Sequence, residues 1–254
     1  MKTIYQYLFY LFWFAAATLM VLRGVFDTMT YFAGATIEMR RVQPGGYQYL
    51  LHLPPGYTDF GKPRPLIVFL HGAGEVDKGL DVLKHHDLWH FAKGHVQAKD
   101  FPFIVVSPMA PKRGWEPLQV KRFVEQIVQD HSKRYRIDPN RIYLTGFSMG
   151  GFGTFHTACE YPELFAAIVP VAGGGEPKRA CNLINVPTWA FHGDADEVVL
   201  YELSETMIDA MKKAGHRDAR LTNFRGAGHG IVGDVYRNPE LYRWMLRQSK
   251  NKNP

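Results

Sequence analysis

The stretch IYLTGFSMGGFGTF, residues 142–155, carries three local signals in a row. Its first four residues form a short apolar run of the kind found in buried strands, and Phe152, Phe155 and Cys159 recur at the spacing of one helix face. Between them lies the pattern G-x-S-x-G, with Ser148 at its centre. The stretch therefore predicts a strand, a tight turn and a helix, with a serine hydroxyl presented by the turn.

Two glycines make that turn possible. Gly146 and Gly150 lack a Cβ, so the chain can turn sharply and the next helix can pack closely, which pushes Ser148 Oγ out above the sheet. By itself, G-x-S-x-G also fits an ordinary glycine-rich turn. The assignment of a nucleophile therefore depends on the rest of the chain supplying an acid, a base and oxyanion donors.

Other apolar runs indicate further strands of the same sheet. Alternation from Tyr47 to Leu53 predicts a half-buried antiparallel strand, whereas the later continuous runs are typical of strands buried on both faces. Amphipathic segments between the runs predict helices, one of them with Leu200, Leu203 and Met207 at helical spacing. The predicted fold is α/β, with a mostly parallel central sheet and helices on both faces. The continuous runs are Leu66–Leu70, Phe103–Val106, Ala166–Val171, Thr188–Phe191 and Arg220–Phe224.

The segment HGDADEVV, His192–Val199, offers an acid. A carboxylate that directly follows a parallel strand lies at the same sheet edge as Ser148. Both Asp194 and Asp196 fit, and either could simply form the turn. We predict Asp196 as the acid, because two further residues let its side chain turn back towards a histidine. Asp194 is predicted to shape the loop by accepting hydrogen bonds from nearby amides.

The predicted base is His229, in the loop sequence GAGHG after the last strand. The flanking glycines allow the backbone to approach both partners. A lone histidine is more often structural than catalytic. The chain order Ser148, Asp196, His229 nevertheless suits a nucleophile, acid and base that meet at one sheet edge.

The segment HGAG, His71–Gly74, predicts half of an oxyanion hole. A strand that opens into small residues leaves backbone N–H groups able to point at a ligand. The predicted donors are the amide of Ala73 and the amide of Met149, which directly follows the nucleophile.

Two aromatic residues are predicted to contact substrate. Trp115 lies in a loop beyond a strand end, where ligands of open α/β sheets bind, although loop packing accounts for it equally well. Phe147 directly precedes the nucleophile. The connection Ala172–Pro187 is too short for a helical lid, so we expect an open site without a large cap.

Together, FLHGAGE, RIYLTGFSMGGFGTF, HGDADEVV and GAGHG resemble the α/β-hydrolase superfamily. More narrowly, they resemble its lid-less branch, related to dienelactone hydrolase, which includes carboxylesterases, acyl-protein thioesterases, feruloyl and polyhydroxybutyrate-type esterases and predicted peptidases. The resemblance begins near Tyr47 and implies Ser148 as nucleophile, Asp196 as acid and His229 as base, with the two amides named above as oxyanion donors. One departure is Gly230, where many relatives have an acidic residue.

Residues 1–35 are predicted to be a hydrophobic segment ahead of one catalytic domain, residues 36–254. Ile4–Leu22 contains no charged residue and is about as long as a bilayer-spanning helix, which needs about 20 apolar residues. Ala15–Ala17 would also suit a signal-peptide cleavage region. Either interpretation predicts membrane contact through this segment and a membrane-anchored or exported (periplasmic or extracellular) location.

Composition argues against several classes of partner. The formal charge is +6, but 30 basic residues are scattered among 24 acidic ones, so nucleic-acid binding is not expected. Cys159 and Cys181 are too few for a disulfide scaffold and lack metal-site spacing. His86 and His90, in HDLWH, lack the glutamate and the third ligand of a zinc site, so neither a metal nor another cofactor is expected.

The predicted activity is hydrolysis of small to medium carboxylic esters through a Ser-His-Asp triad and an acyl-enzyme intermediate. The alternatives are a peptidase or amidase, or a thioesterase, with the same triad, and a non-catalytic binding protein that has kept the fold. The sequence leaves acyl and alcohol specificity and the oligomeric state open.

Overall fold

A computed structural model describes residues 36–39, 46–54, 56–58, 60–96, 101–131 and 135–250. The predicted hydrophobic segment, residues 1–35, lies outside the described residues, so its boundary and its role stay predictions. None of the helices in the described ranges combines the length and the apolar character needed to cross a bilayer.

One mixed sheet organises the described chain. Its strands are β1 (Thr36–Met39), β2 (Tyr49–His52), β3 (Arg64–Leu70), β4 (Ile104–Pro108), β5 (Ile137–Phe147), β6 (Ala167–Val171), β7 (Thr188–Gly193) and β8 (Ala219–Phe224). The eight strands lie in the order β1-β2-β4-β3-β5-β6-β7-β8. β2 pairs antiparallel with β1 and β4, and every other neighbouring pair is parallel. The sheet is therefore mostly parallel, as predicted.

Helices cover both faces of the sheet. They are α1 (Leu80–His86), α2 (Leu88–Ala92), α3 (Pro117–His131), α4 (Met149–Glu160), α5 (Tyr201–Lys213), α6 (Val232–Arg237) and α7 (Pro239–Leu246). The connection between β6 and β7 contains only a short 3₁₀ helix, Pro177–Leu183. That segment has no room for a helical lid.

Alternation along β3 divides the core in two. Leu66, Val68 and Leu70 belong to the cluster that includes the apolar faces of α3, α4 and α5. Ile67 and Phe69 belong to the cluster built with α2, α6 and α7. All five side chains are buried. A strand whose successive residues point to opposite faces must be apolar throughout when helices cover both faces, which is why this run reads LIVFL.

Three parallel strands bring the candidate site together. Ser148 follows β5, Asp196 lies in the loop after β7, and His229 lies in the loop after β8. Parallel strands end at the same edge of a sheet, so three side chains that are far apart in the chain reach one edge.

The apolar face predicted for the helix after β7 is wrong at its start. α5 begins at Tyr201, so Leu200 lies outside the helix and is 58% exposed, while Leu203 is 43% exposed. The first turn of α5 packs on the backbone of Gly173 and Gly174, and its outer side chains face away from that contact. Phe152, expected on the inner face of α4, is half-buried and lines a surface cleft instead.

The HDLWH segment does not form a single helix face. Asp87 ends α1 and caps α2, its Oδ1 accepting a hydrogen bond from the His90 amide at 2.8 Å, so His86 and His90 lie on different helices. Across the described residues, no group of three or more His, Cys, Asp or Glu side chains is arranged to hold a metal ion.

Candidate active site

Ser148 stands in a strained turn between β5 and α4. Its φ of 55° and ψ of −117° lie in a region that L-residues rarely occupy; such a conformation costs about 1–3 kcal/mol. The turn is held by a hydrogen bond from the Ser148 amide to the Val171 carbonyl (2.9 Å) and one from the Phe152 amide to the Ser148 carbonyl (3.1 Å). The surrounding structure therefore fixes the serine at the edge of the sheet.

Backbone packing explains the glycines of the turn. A Cβ on Gly150 would overlap the carbonyl oxygen of Leu70, and a Cβ on Gly146 would overlap the carbonyl group of Gly150. Neither glycine could become alanine without moving β3 or β5 away from α4.

The structure brings together the three side chains predicted as the triad. Ser148 Oγ lies 2.9 Å from His229 Nε2, and His229 Nδ1 lies 2.7 Å from Asp196 Oδ2. Asp196 is acceptor-only when ionised, so Nδ1 carries the proton and Nε2 is the nitrogen free to accept one from the serine. The chain of hydrogen bonds therefore runs from hydroxyl to imidazole to carboxylate.

Asp196 is held as a carboxylate by its own loop. Its Oδ1 accepts hydrogen bonds from the amides of Val198 and Val199, both at 2.9 Å. Burial acts to raise the pKa of Asp196, but the hydrogen bonds from these amides and from His229 outweigh it, and the pKa lies below its ordinary value. The group facing His229 Nδ1 thus stays negatively charged.

Asp194 is turned away from the histidine. Its two oxygens accept hydrogen bonds from Asn223 Nδ2 at 3.0 Å and from the Gly226 amide at 2.6 Å. These bonds join the loop after β7 to the loop after β8, as predicted for a loop-shaping residue.

The two predicted oxyanion donors begin two helical turns. Ala73 is the first residue of the 3₁₀ helix Ala73–Glu75, and Met149 is the first residue of α4. The first N–H groups of a helix have no acceptor within it and remain available to a ligand. A developing negative charge is also favoured at the N-terminus of α4.

A cleft of about 560 Å³ opens beside these donors. Its lining includes Ala73 and Met149, with Trp115, Phe152 and Gly153 forming apolar wall. Arg113, Glu116 and His156 add polar groups to the lining. The cleft is therefore next to the donor amides and has both apolar and polar surface.

Trp115 is a fixed part of the cleft wall. Its side chain is 5% exposed, and its indole N–H donates to the carbonyl oxygen of His71 at 3.1 Å. The indole also meets the His71 ring edge to face at 4.9 Å and the Tyr47 ring at 5.5 Å. Trp115 therefore packs the loop and lines the cleft, and its contact with substrate stays a prediction.

Phe147 does not lie among the described residues that line this cleft. Its ring packs on the ring of His229, with centroids 4.8 Å apart. The residue therefore supports the histidine, and its predicted contact with substrate stays a prediction.

Two buried histidines were assigned no role from the sequence, although both lie within the motifs quoted above. His71 Nδ1 donates to the Gly72 carbonyl at 2.7 Å, while Nε2 accepts from the Ala110 amide at 2.9 Å. Burial lowers the pKa of His71 to about 4, and the hydrogen bond to Gly72 opposes part of that fall. His71 is thus neutral and ties the oxyanion segment to the loop after β4. The second is His192, at the end of β7 beside Asp196.

An apolar rim follows Asp196 in the chain, from the loop after β7 into the first turn of α5. We define it as Val198, Leu200 and Leu203, which are 71%, 58% and 43% exposed. A Cβ placed on Gly174 would lie 2.8 Å from Leu203 Cβ and 3.1 Å from Phe152 Cε1, so the side chains of Leu203 and Phe152 both lie against Gly174. Because Phe152 lines the cleft, the rim adjoins the apolar surface of the cleft at Leu203.

One known protein family matches more than half of this chain. Residues 101–238 match the family described as phospholipase/carboxylesterase. The chain belongs to that family. Membership in the phospholipase/carboxylesterase family, together with the mostly parallel sheet, confirms the predicted α/β-hydrolase fold.

Curated relatives of this phospholipase/carboxylesterase family member are esterases or depolymerases by name. The bifunctional acetylxylan esterase/xylanase of Neocallimastix patriciarum is 28% identical over 70% of the chain and 26% of its own length. The poly(3-hydroxyalkanoate) depolymerase C of Paucimonas lemoignei is 31% identical over 52% of the chain and 32% of its own length. The putative esterase NocK of Nocardia uniformis is 28% identical over 65% of the chain and 50% of its own length. The chain thus spans half or less of the length of these relatives.

Solved structures share the same fold. A thermostable esterase superposes with a TM-score of 0.67 at 29% identity, covering 86% of this chain and 63% of its own. The feruloyl esterase module from Clostridium thermocellum, complexed with sinapinate, has a TM-score of 0.62 at 18% identity, covering 83% of this chain and 87% of its own. The second likeness concerns the fold alone.

Proposed function

We propose that this protein is a serine hydrolase that cleaves carboxylic esters through Ser148, His229 and Asp196. The observation that carries the proposal is the continuous chain of hydrogen bonds from Ser148 Oγ to His229 Nε2 and from His229 Nδ1 to Asp196 Oδ2, at 2.9 and 2.7 Å. A hydroxyl with a positioned base, itself oriented by a carboxylate, is the arrangement that activates a serine nucleophile.

In the first half of the reaction, Ser148 Oγ attacks the ester carbonyl carbon while His229 Nε2 accepts the hydroxyl proton. The carbonyl oxygen becomes an oxyanion in the tetrahedral intermediate. His229 then returns the proton to the departing alcohol oxygen as the carbon–oxygen bond breaks, leaving the acyl group on Ser148. Water, deprotonated by the same imidazole, then attacks the acyl carbon, and the imidazolium returns that proton to Ser148 Oγ as the bond between this oxygen and the acyl carbon breaks, which releases the acid.

The proposed oxyanion donors are the amides of Ala73 and Met149. Each begins a helical turn, so its N–H lacks an intrahelical acceptor. Such a donor contributes about 3–4 kcal/mol of transition-state stabilisation in serine hydrolases. Asp196 keeps His229 in the required tautomer and stabilises the imidazolium that forms.

The substrate proposed is a small to medium ester with an apolar part. The named activities of the relatives favour an ester over a thioester or an amide. The apolar wall of the cleft and the adjoining rim offer surface for an apolar acyl or alcohol group. We further propose that the N-terminal segment brings this activity to a membrane or carries it across one, since Ile4–Leu22 is uninterrupted by charge.

The test is Ser148→Ala, assayed on a short acyl nitrophenyl ester, with Ser249→Ala as a serine control remote from the site. We expect Ser148→Ala to lose turnover and labelling by a fluorophosphonate probe while its thermal melt stays within a few degrees of the parent. Ser249→Ala should keep both. Unchanged hydrolysis by Ser148→Ala would show that another group performs the chemistry.

The same assay separates the alternatives. A parent protein that neither reacts with the probe nor hydrolyses any ester would be a binding protein that has kept the fold. Faster turnover of a matched thioester or anilide than of the ester would replace the proposed substrate class without changing the proposed machinery.

A further inference from the structure

His192 is a fully buried histidine next to the proposed triad. It is the residue before the last one of β7, and its ring lies between Asp196 on one side and α5 on the other. Nε2 lies 2.8 Å from the Val199 carbonyl oxygen and 3.2 Å from Asp196 Oδ2. That carboxylate oxygen is the one that binds His229 Nδ1 at 2.7 Å. Two imidazoles therefore face the same atom of the acid.

The neighbours of the ring fix where its proton lies. Both atoms near Nε2, a carbonyl oxygen and a carboxylate oxygen, can only accept, so Nε2 carries a hydrogen. Nδ1 lies 2.7 Å from Ser204 Oγ, whose hydroxyl also lies 2.6 Å from the Gly173 carbonyl oxygen. The hydroxyl of Ser204 donates its one hydrogen to the Gly173 carbonyl, and its oxygen contacts Nδ1, so α5 holds the ring from its far side.

We propose that His192 is a positioning residue for the reaction, which holds Asp196 and the Asp196–Val199 turn through its Nε2 hydrogen. The inference rests on the proposed function, because it concerns the acid of the proposed triad. His192 contacts neither Ser148 nor the cleft, so it acts through Asp196.

Two effects of that hydrogen act on the acid. By binding the Val199 carbonyl, it fixes the turn whose Val199 amide donates to Asp196 Oδ1 at 2.9 Å. Because Nε2 lies 3.2 Å from Asp196 Oδ2, the hydrogen also offsets part of the negative charge that faces His229. Tyr201 of α5, which is also ionisable, packs on the ring of His192 with centroids 5.8 Å apart.

Loss of the Nε2 hydrogen alone should shift the pH dependence of activity in a defined direction. The carboxylate of Asp196 would face His229 with more of its charge uncompensated, which favours the imidazolium form of His229. Activity requires the neutral imidazole, so the acid limb of the kcat/KM profile should move to higher pH.

The experiment compares two amides that replace different ring nitrogens. In His192→Gln the side-chain amide reaches the place of Nε2 and keeps a donor near Asp196, whereas His192→Asn keeps a group only near Ser204. We expect His192→Asn to lower kcat about tenfold with KM within about twofold, and to move the acid limb up by about half to one pH unit. His192→Gln should retain the parent profile, as should the contact control Ser204→Ala.

Equal pH profiles for the parent and both His192 variants, or equal shifts in both variants, would overturn the proposal and leave His192 as a packing residue. Thermal melts of all variants show whether each is folded at the assay temperature. Failure of the proposed function is visible separately, because it requires Ser148→Ala to stay active.

Discussion

The indole N–H of Trp115 donates to the carbonyl oxygen of His71 at 3.1 Å. This bond joins a wall of the cleft to the strand end that leads into Ala73. A side chain that lines the cleft is thereby tied to the backbone that presents a proposed oxyanion donor.

Trp115→Phe should remove that bond while keeping an aromatic wall. The His71 carbonyl would lose its partner, and the Ala73 amide would be held less firmly. We expect kcat to fall about 2- to 10-fold with little change in KM. The control is Tyr47→Phe, which touches the same indole but loses only a hydroxyl that lies 3.3 Å from Gln119. A rise in KM with unchanged kcat would instead make Trp115 a binding residue only.

Gly153→Ala should change the shape of the cleft. A Cβ on Gly153 would lie 2.7 Å from Trp115 Cβ, closer than two such atoms can approach. The indole must shift towards the cleft, so KM for a bulky aryl ester should rise at least about threefold while a small acetate ester is less affected. Gly233→Ala, in the short helix α6, is the matched glycine control. Kinetics on the two esters would contradict the prediction if the bulky one were unaffected.

His71 should make the fold sensitive to acid. Its pKa falls from 6.5 to about 4 on folding, so the unfolded chain binds more protons between these values. The stability that neutral His71 contributes is present above about pH 6.5 and is lost as pH falls towards 4, by about 3 kcal/mol at most. Urea unfolding of the parent and of His71→Asn across this range measures the difference. Parallel curves for the two proteins would argue against the linkage.

The two aspartates of HGDADEVV should differ sharply in function. Asp196→Asn removes the charge that faces His229 and can present the wrong hydrogen-bonding group to Nδ1, so kcat should fall about 10³- to 10⁴-fold. Asp194→Asn weakens only the bonds to Asn223 and Gly226, and kcat should fall less than about tenfold. Steady-state kinetics on one ester compares them, and equal losses would mean that the loop, not the individual carboxylate, is what matters.

The apolar rim should influence chain-length preference. Val198→Ser and Leu200→Ser should lower kcat/KM for an eight-carbon acyl ester several-fold while leaving the acetate ester unchanged, because only the longer chain reaches exposed apolar surface. Ile184→Ser is the control, since Ile184 is similarly exposed, at 43%, and lies outside the rim and cleft. Loss of a dimer in the rim variants, seen by light scattering, would assign the rim to self-association instead.

Several features could be predicted from the sequence because they depend on residues that are neighbours in the chain. The strand, turn and helix around Ser148 follow from local apolar spacing and from glycines at fixed offsets. The buried strands could be predicted because a strand that is covered on both faces is apolar throughout. β5 is longer than predicted, because its first residues read IDPNR: Ile137 pairs with Arg64 and Ile142 with Leu66, and the polar residues between them lie in an irregularity of the pairing.

The sequence by itself determined the fold class, the turn that carries Ser148, and the order in which a nucleophile, an acid and a base leave one sheet edge. Only the tertiary structure decided that Trp115 is held by His71 and that Phe147 supports His229. It also decided that His192 lies against the carboxylate of Asp196, and that Leu200 and Leu203 are exposed. The physical reason is the range of the forces involved. Glycine sterics and apolar periodicity act between residues close in the chain, whereas each of the other features depends on which distant segments the sheet places side by side.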